Sequence, residues 1–235
     1  MKKYFVGITL VVILTLGVSG CSNSDNETTE VMAYTTQNVT GNSPTNEPTV
    51  DEEYEVGYVT IRGEQYRKDS TFLSLAMRGM LTNEELQLLA YMTNLQSLIL
   101  GIVEANDLSP LSELTSLQSL NIERSQLEDI SPLATLTNLT NLRINGNQIS
   151  DISALAGMTE LESLVIRDNR ITDLSPLEGL TNLTRLELCN NLIRDVTPLM
   201  GLTNLESLTI RGNGGLPAYQ VEALRVALPN TNIGR

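Results

Sequence analysis

The chain of 235 residues has no histidine and no tryptophan, only two phenylalanines and only two cysteines. Without histidine there is no His-based triad, no imidazole general base and no imidazole metal ligand. With aromatics at 4 %, an ordinary aromatic-rich core is excluded, and so are most of the side chains that anchor tight interfaces. Positive charge is also scarce: 15 Lys and Arg stand against 28 Asp and Glu, a net of −13. That balance argues against nucleic acid, whose phosphates require a basic footprint. No apolar run is long enough for a comfortable membrane span.

The longest such run, Phe5 to Val18, follows Lys2 and Lys3 and ends in Val18-Ser19-Gly20-Cys21. A positive n-region, a short apolar stretch and small residues at its end are the layout of a processing signal. The segment resembles bacterial lipoprotein precursors. That resemblance implies cleavage before Cys21, with residues 1–20 as signal peptide, and acylation of Cys21. An ordinary secretory signal with a chance cysteine is the other reading. Both place the mature protein outside the cytoplasm. The second cysteine is Cys189. With Cys21 lipidated, no disulfide can form within the chain, Cys189 is a free thiol, and stability rests on packing.

Residues 21–56 follow as a polar stretch. Between 22 and 55 there are eight acids and no base, a composition that cannot bury enough apolar surface to offset chain entropy. It reads as a disordered tether, about 30–35 Å root-mean-square in span and extended further by self-repulsion.

From residue 92 the chain repeats every 22 residues, six times, through residue 213. The segments LRINGN (142–147), LVIRDN (164–169), LELCNN (186–191) and LTIRGN (208–213) show the frame. Leu, a second apolar residue and Asn stay fixed while the residues between them vary. Leu142 and Ile144 alternate with Arg143 and Asn145, which is strand periodicity. Equal spacing between short strands predicts parallel neighbours joined by crossovers. Asn147, Asn169, Asn191 and Asn213 stand where each coil must turn, so their amides can satisfy backbone groups left unpaired there. Segments such as DLSPL (173–177) predict short helical turns, with Ser175 as N-cap and Pro176 at the first helical position. Asp107, Asp129, Asp151, Asp173 and Asp195 form a column whose carboxylates are expected to accept backbone N–H bonds at the start of each turn. One carboxylate per coil falls far short of a calcium shell, so no metal and no cofactor are expected.

This frame is similar to the leucine-rich repeat, and its D-[IL]-[ST]-P-L turn resembles the internalin-type repeats of bacterial surface proteins. The resemblance implies an α/β leucine-rich repeat solenoid: a concave parallel β-sheet with short 3₁₀ or helical turns on the convex side. The chain departs from the frame at Val103 and Ser125, which replace the turn Asn, and at Ala154, which replaces Pro, so the N-terminal repeats are expected to be less regular.

A solenoid needs covered ends. Residues 57–91 predict an N-terminal cap: a hairpin over 58–66 around Gly63, a strand in 71–77, and a helix to about Tyr91. Thr82 and Glu85 are spaced as a capping box, with Leu81 and Leu86 as staple. Residues 214–235 predict a C-terminal helical cap, from Pro217 to Leu228 with Pro229 as stop. No stretch remains for a second folded domain.

The variable strand positions point to the concave face. Those expected to meet a partner are Asn121, Glu123, Arg143, Asn145, Val165, Arg167, Arg185, Glu187 and Arg211. Six strands about 4.8 Å apart make a face about 25–30 Å wide. The arginines there, with Arg124, outnumber Glu123, Asp168 and Glu187, whereas residues 57–235 have 13 bases against 20 acids. An acidic or phosphate-bearing partner would be drawn to such a face. The alternative is internal pairing, Arg143 with Glu187 or Arg167 with Glu123, on a solvated surface. Function follows in two forms. One is a membrane-anchored, non-enzymatic module that recognises a protein or a cell-surface polymer. The other is a spacer of the cell envelope without a ligand. Internalin-like relatives imply a protein partner, without carrying over any ligand.

Overall fold

The computed structural model describes residues 57–76, 79–104 and 107–234, and, within the unit Met1–Tyr54, the backbone of two short strands. These are β1 (Ile13–Leu16) and β2 (Thr29–Met32), which pair antiparallel. The rest of the expected signal peptide and tether lies outside the described residues, as does the side chain of Cys21.

The unit Glu55–Arg235 opens with a hairpin, β3 (Tyr58–Ile61) against β4 (Glu64–Arg67). Arg62 and Gly63 form its two-residue turn, both at positive φ, the backbone that a tight hairpin requires. The main sheet follows: β5 (Phe72–Ser74), β6 (Ser97–Ile99), β7 (Ser119–Asn121), β8 (Asn141–Arg143), β9 (Ser163–Val165), β10 (Arg185–Glu187), β11 (Ser207–Thr209) and β12 (Asn232–Gly234). All eight are parallel and lie in sequence order. Leu98, Leu120, Leu142, Leu164, Leu186 and Leu208 stand side by side in register and are wholly buried. Each buried Leu contributes about 1.5–3 kcal/mol, and six in one row explain why the frame cannot drift.

Between strands the chain returns through 3₁₀ turns at Ser109–Glu113, Ser131–Thr135, Ser153–Gly157, Ser175–Leu177 and Thr197–Gly201. The expectation that Ser175 caps its turn is corrected. Leu174 holds the cap position with no side-chain bond, and Ser175 is already inside the turn. The capping acceptor is Asp173, whose Oδ1 takes the Ser175 N–H at 2.8 Å. Asp107, Asp129, Asp151 and Asp195 do the same for the residue two positions on. An Asp two residues before the turn reaches the first unpaired N–H, which a Ser within the turn cannot.

The turn asparagines form a ladder through the interior. Asn147 Oδ1 accepts from Ser125 N and Leu127 N of the preceding coil, and its Nδ2 donates to Ile122 O and Ile144 O. Asn169, Asn191 and Asn213 each accept one N–H from the coil before and donate back to its carbonyl. Ser125 replaces the amide with a hydroxyl, which accepts from Val103 N at 2.9 Å and donates to Glu123 O at 3.0 Å. Val103 has no such group, and its coil is tied instead by a backbone bridge to Leu81.

At the N-terminal cap, α1 (Asn83–Leu89) has the expected capping box between Thr82 and Glu85, and Leu81 and Leu86 are both fully buried. Arg62 forks onto the same Glu85 carboxylate at 2.9 and 3.0 Å. The C-terminal cap is α2 (Ala218–Ala227), entered through Pro217, with Val221, Leu224 and Leu228 buried. The strand β12 was not expected. Its sequence, Asn232-Ile233-Gly234, has a single apolar residue, and it becomes a strand because β11 offers an open parallel edge.

Candidate functional site

Leu164 and Ile166 point into the coil and are wholly buried, so Ser163, Val165 and Arg167 project to the concave side. Register then sets the columns. Ile99, Asn121, Arg143, Val165, Glu187 and Thr209 are Cα partners across β6 to β11. Glu123, Asn145, Arg167 and Arg211 lie two residues beyond the same positions. All nine residues expected to contact a partner therefore share this face or its exit edge.

The face is not uniformly open. Val165 is 1 % exposed, and Asn145 and Glu187 are each 6 %. Arg143, Arg167 and Arg185 are half-buried and Arg211 is exposed. The ion pairs differ from those anticipated. Arg143 Nε donates to Glu123 Oε1 at 3.1 Å, Arg167 Nε lies 3.4 Å from Glu187 Oε2, and Arg185 forks onto Glu187 Oε1. Arg143 with Glu187, and Arg167 with Glu123, would each have to reach over an intervening strand, about 9–10 Å at the usual spacing. Adjacent strands bring Arg143 to Glu123 and Arg167 to Glu187 instead, and Arg185 reaches Glu187 along β10 itself. Glu187 thus carries two guanidiniums.

Among the described residues, Asn145 Oδ1 and Thr209 Oγ1 are shielded from solvent without a hydrogen-bond partner. Both belong to concave columns. Leaving such an atom unsatisfied costs about 1–3 kcal/mol.

Cys189 also corrects the expectation of a free thiol. It is wholly buried and disulfide-bonded.

At the strand-exit edge the sequence carried a signal that was not read. Arg124, Gly146, Asp168, Asn190 and Gly212, one per coil, all have φ between 54° and 73°. Gly, Asp and Asn tolerate this backbone, and one of these precedes all four turn asparagines, while Arg124 precedes Ser125. The position is tight as well as strained. A Cβ on Gly212 would stand 1.9 Å from Asn190 Oδ1, and Asn190 Nδ2 donates to Asp168 Oδ1 at 2.7 Å. Asp168 and Arg124 therefore belong to the edge turn. The first two coils are irregular here, as expected: Gly101 takes the positive φ one residue early, and Gln126 adds a second.

Of the convex column, Asp151 and Asp173 are held below the ordinary carboxylate value by the N–H and then the hydroxyl of Ser153 and Ser175. Asp107 and Asp195 are lowered by the hydroxyl and then the N–H of Ser109 and Thr197. These carboxylates are occupied as caps. No group of three or more His, Cys, Asp or Glu among the described residues could hold a metal ion. No helix among them is long and apolar enough to cross a membrane.

The repeat, the parallel sheet and the convex 3₁₀ turns define a leucine-rich repeat solenoid. The family described as Leucine Rich repeats (2 copies) matches at residues 115–157, 137–179 and 159–199. One solved structure agrees in fold, and two others are similar to the chain over part of its length. A leucine-rich repeat protein of Leptospira interrogans is 24 % identical, with 63 % of this chain and 39 % of that one covered and a TM-score of 0.58. Internalin C2 of Listeria monocytogenes is 28 % identical over 63 % of this chain and 85 % of its own, TM-score 0.43. Another internalin of that organism, inlF, is 32 % identical over 63 % and 56 %, TM-score 0.43. The chain spans only 39 % of the Leptospira protein. No curated protein matches it. Solenoids of this class are in general scaffolds for protein interaction, through the concave surface that stacking creates.

Proposed function

We propose that this protein is an extracytoplasmic binding module, held to a bacterial membrane by lipid on Cys21, whose concave leucine-rich repeat face recognises a protein or a cell-surface polymer. The observation that carries the reading is the charge of the face. Arg143, Arg167, Arg185 and Arg211 stand there against Glu123 and Glu187, on a domain that is acidic overall.

Internal pairing favours a second reading, a spacer of the cell envelope. Glu123 and Glu187 already neutralise part of the arginine charge, Glu123 through Arg143 and the buried Glu187 through Arg167 and Arg185. Capture from envelope and surface fractions by the detergent-solubilised full chain separates the two. A species retained by the parent and lost by the quadruple Arg→Glu variant at 143, 167, 185 and 211 supports the binding module. Equal capture, or none, supports the spacer.

The anchor has its own test. The chain has two cysteines, and a Cys21 sulfur that carries lipid cannot also form a disulfide. The lipid-anchored form requires Cys189 as a thiol. Intact mass of the membrane-extracted protein is expected to show a diacylglyceryl-bearing Cys21 and one alkylatable thiol. An unacylated mass with no free thiol would remove the anchor from the proposal.

A further inference from the structure

Charge on the repeats is sorted around each coil. Residues 92–213 contain seven arginines and no lysine, and all seven fall between the first strand residue and the residue before the convex Asp. That half of the coil, strand plus exit edge, has five carboxylates. The other half, convex turn plus strand entry, has ten carboxylates and no base. Besides Arg124 in its edge turn, two of the arginines, Arg170 and Arg194, are outside the concave columns. They lie exposed on the exit edge of the fourth and fifth repeats.

Between them is Leu192, 56 % exposed. Its column reads Glu104, Gln126, Gln148, Arg170, Leu192, so an apolar residue appears only where the arginines gather. The edge is built. Leu192 N–H is bonded to Ile171 O at 2.9 Å in the neighbouring coil. Arg170 donates to Gln148 Oε1 at 2.6 Å. The Arg194 stem lies against the backbone at Gly215, where a Cβ would stand 2.9 Å from its Cγ.

We propose that the partner is an acidic protein segment, and that it binds across the exit edge of the fourth and fifth repeats, with Arg170 and Arg194 taking carboxylates on either side of an apolar contact at Leu192. The inference rests on the binding-module reading and extends it from the concave strands over the edge. A polyanion does not fit. The strand half has only two positive charges in excess, and ten carboxylates line the rest of the coil, so a long run of phosphates would be repelled over most of its length. Discrete carboxylates spaced by apolar residues suit separate guanidinium forks around a leucine. The use of arginine alone agrees, since its planar fork matches a carboxylate in two bonds. The segregated charge also orients an acidic segment toward this side before contact.

The test uses the full chain and a short dye-labelled peptide with one Glu-Leu-Glu segment among uncharged residues, with a Gln-Leu-Gln control and polyphosphate as competitor, read by fluorescence anisotropy. The Glu peptide is expected to bind, the Gln peptide to bind at least about tenfold more weakly, and the difference to shrink at high salt. Arg170→Glu with Arg194→Glu is expected to weaken binding about tenfold and Leu192→Ser about threefold, whereas Arg225→Glu on the cap helix changes it less than about twofold. Equal binding of the two peptides, an equal effect of Arg225→Glu, or polyphosphate binding more tightly than the Glu peptide would each overturn the proposal. If the concave quadruple variant loses the peptide while the edge pair keeps it, the edge site falls and the binding module stands. If both variants keep it, both fall.

Discussion

The first two coils and the last four face the same difficulty at the strand-exit turn and meet it with different side chains. In the later coils an asparagine amide bonds its own coil and the one before, as Asn169 does to Ile149 N, Ile144 O and Arg167 O. In the second coil a hydroxyl does less, and in the first Val103 does nothing. The first coil leans on the cap instead, through the Leu81–Val103 bridge, and the cap is braced by its own Arg62–Glu85 pair. The repeat is thus self-sufficient at one end and supported from outside at the other.

The largest test of that contrast is in the ladder. Asn169→Ala leaves the Ile149 N–H unpaired in the interior and takes one donor from Ile144 O, Ile166 O and Arg167 O, which keep another, and is expected to cost about 2–3 kcal/mol, against about 1–2 kcal/mol for Ser125→Ala. Urea unfolding measures both, and equal losses would dissolve the distinction between the ends. Next come the edge turns. Gly212→Ala meets Asn190 Oδ1 and a positive φ together and is expected to cost about 1–2 kcal/mol. Arg124→Gly, which relieves the same backbone in the second coil, is expected to stabilise by about 0.5 kcal/mol. A neutral Gly212→Ala would mean that the turn relaxes freely. Smaller again is the capping box. Thr82→Ala is expected to cost about 1 kcal/mol, with hydrogen exchange rising in the first coils and unchanged beyond β9 if the cap supports only its own end.

The smallest effect is with pH. Glu85 is lowered by the Arg62 guanidinium, and Asp107, Asp151, Asp173 and Asp195 by their Ser and Thr partners. A carboxylate lowered in the fold binds fewer protons there than in the unfolded chain, so its stabilisation is full above the unfolded value. It is lost as pH falls through the folded one. The Tm is therefore expected to stay level from about pH 8 to about pH 5 and to fall below about pH 4.5. A fall beginning near neutrality would point to other groups.

Much of the fold was legible because it repeats. Leu142 and Ile144 against Arg143 and Asn145 announce a strand, and the same alternation 22 residues on announces its neighbour. The Asn and Asp columns were readable for the same reason, since each satisfies a backbone need that recurs. The candidate face was legible as columns and not as contacts. Arg143 and Glu187 look like partners in sequence, but Val165 lies between them and Glu123 is nearer. β12 and the oxidised state of Cys189 were not legible, because neither has a repeat to reveal it.

The 22-residue spacing and its apolar positions by themselves determined that the coils stack and that strands lie parallel in register, because any other register would expose a row of leucines. They also determined which side chains leave the core. Only the tertiary structure decided which charges meet, that Glu187 serves two arginines, that Ser175 yields its capping role to Asp173, and that Ile233 completes the sheet. Those outcomes depend on distances across strands and on an open edge, and neither is a property of any one stretch of chain.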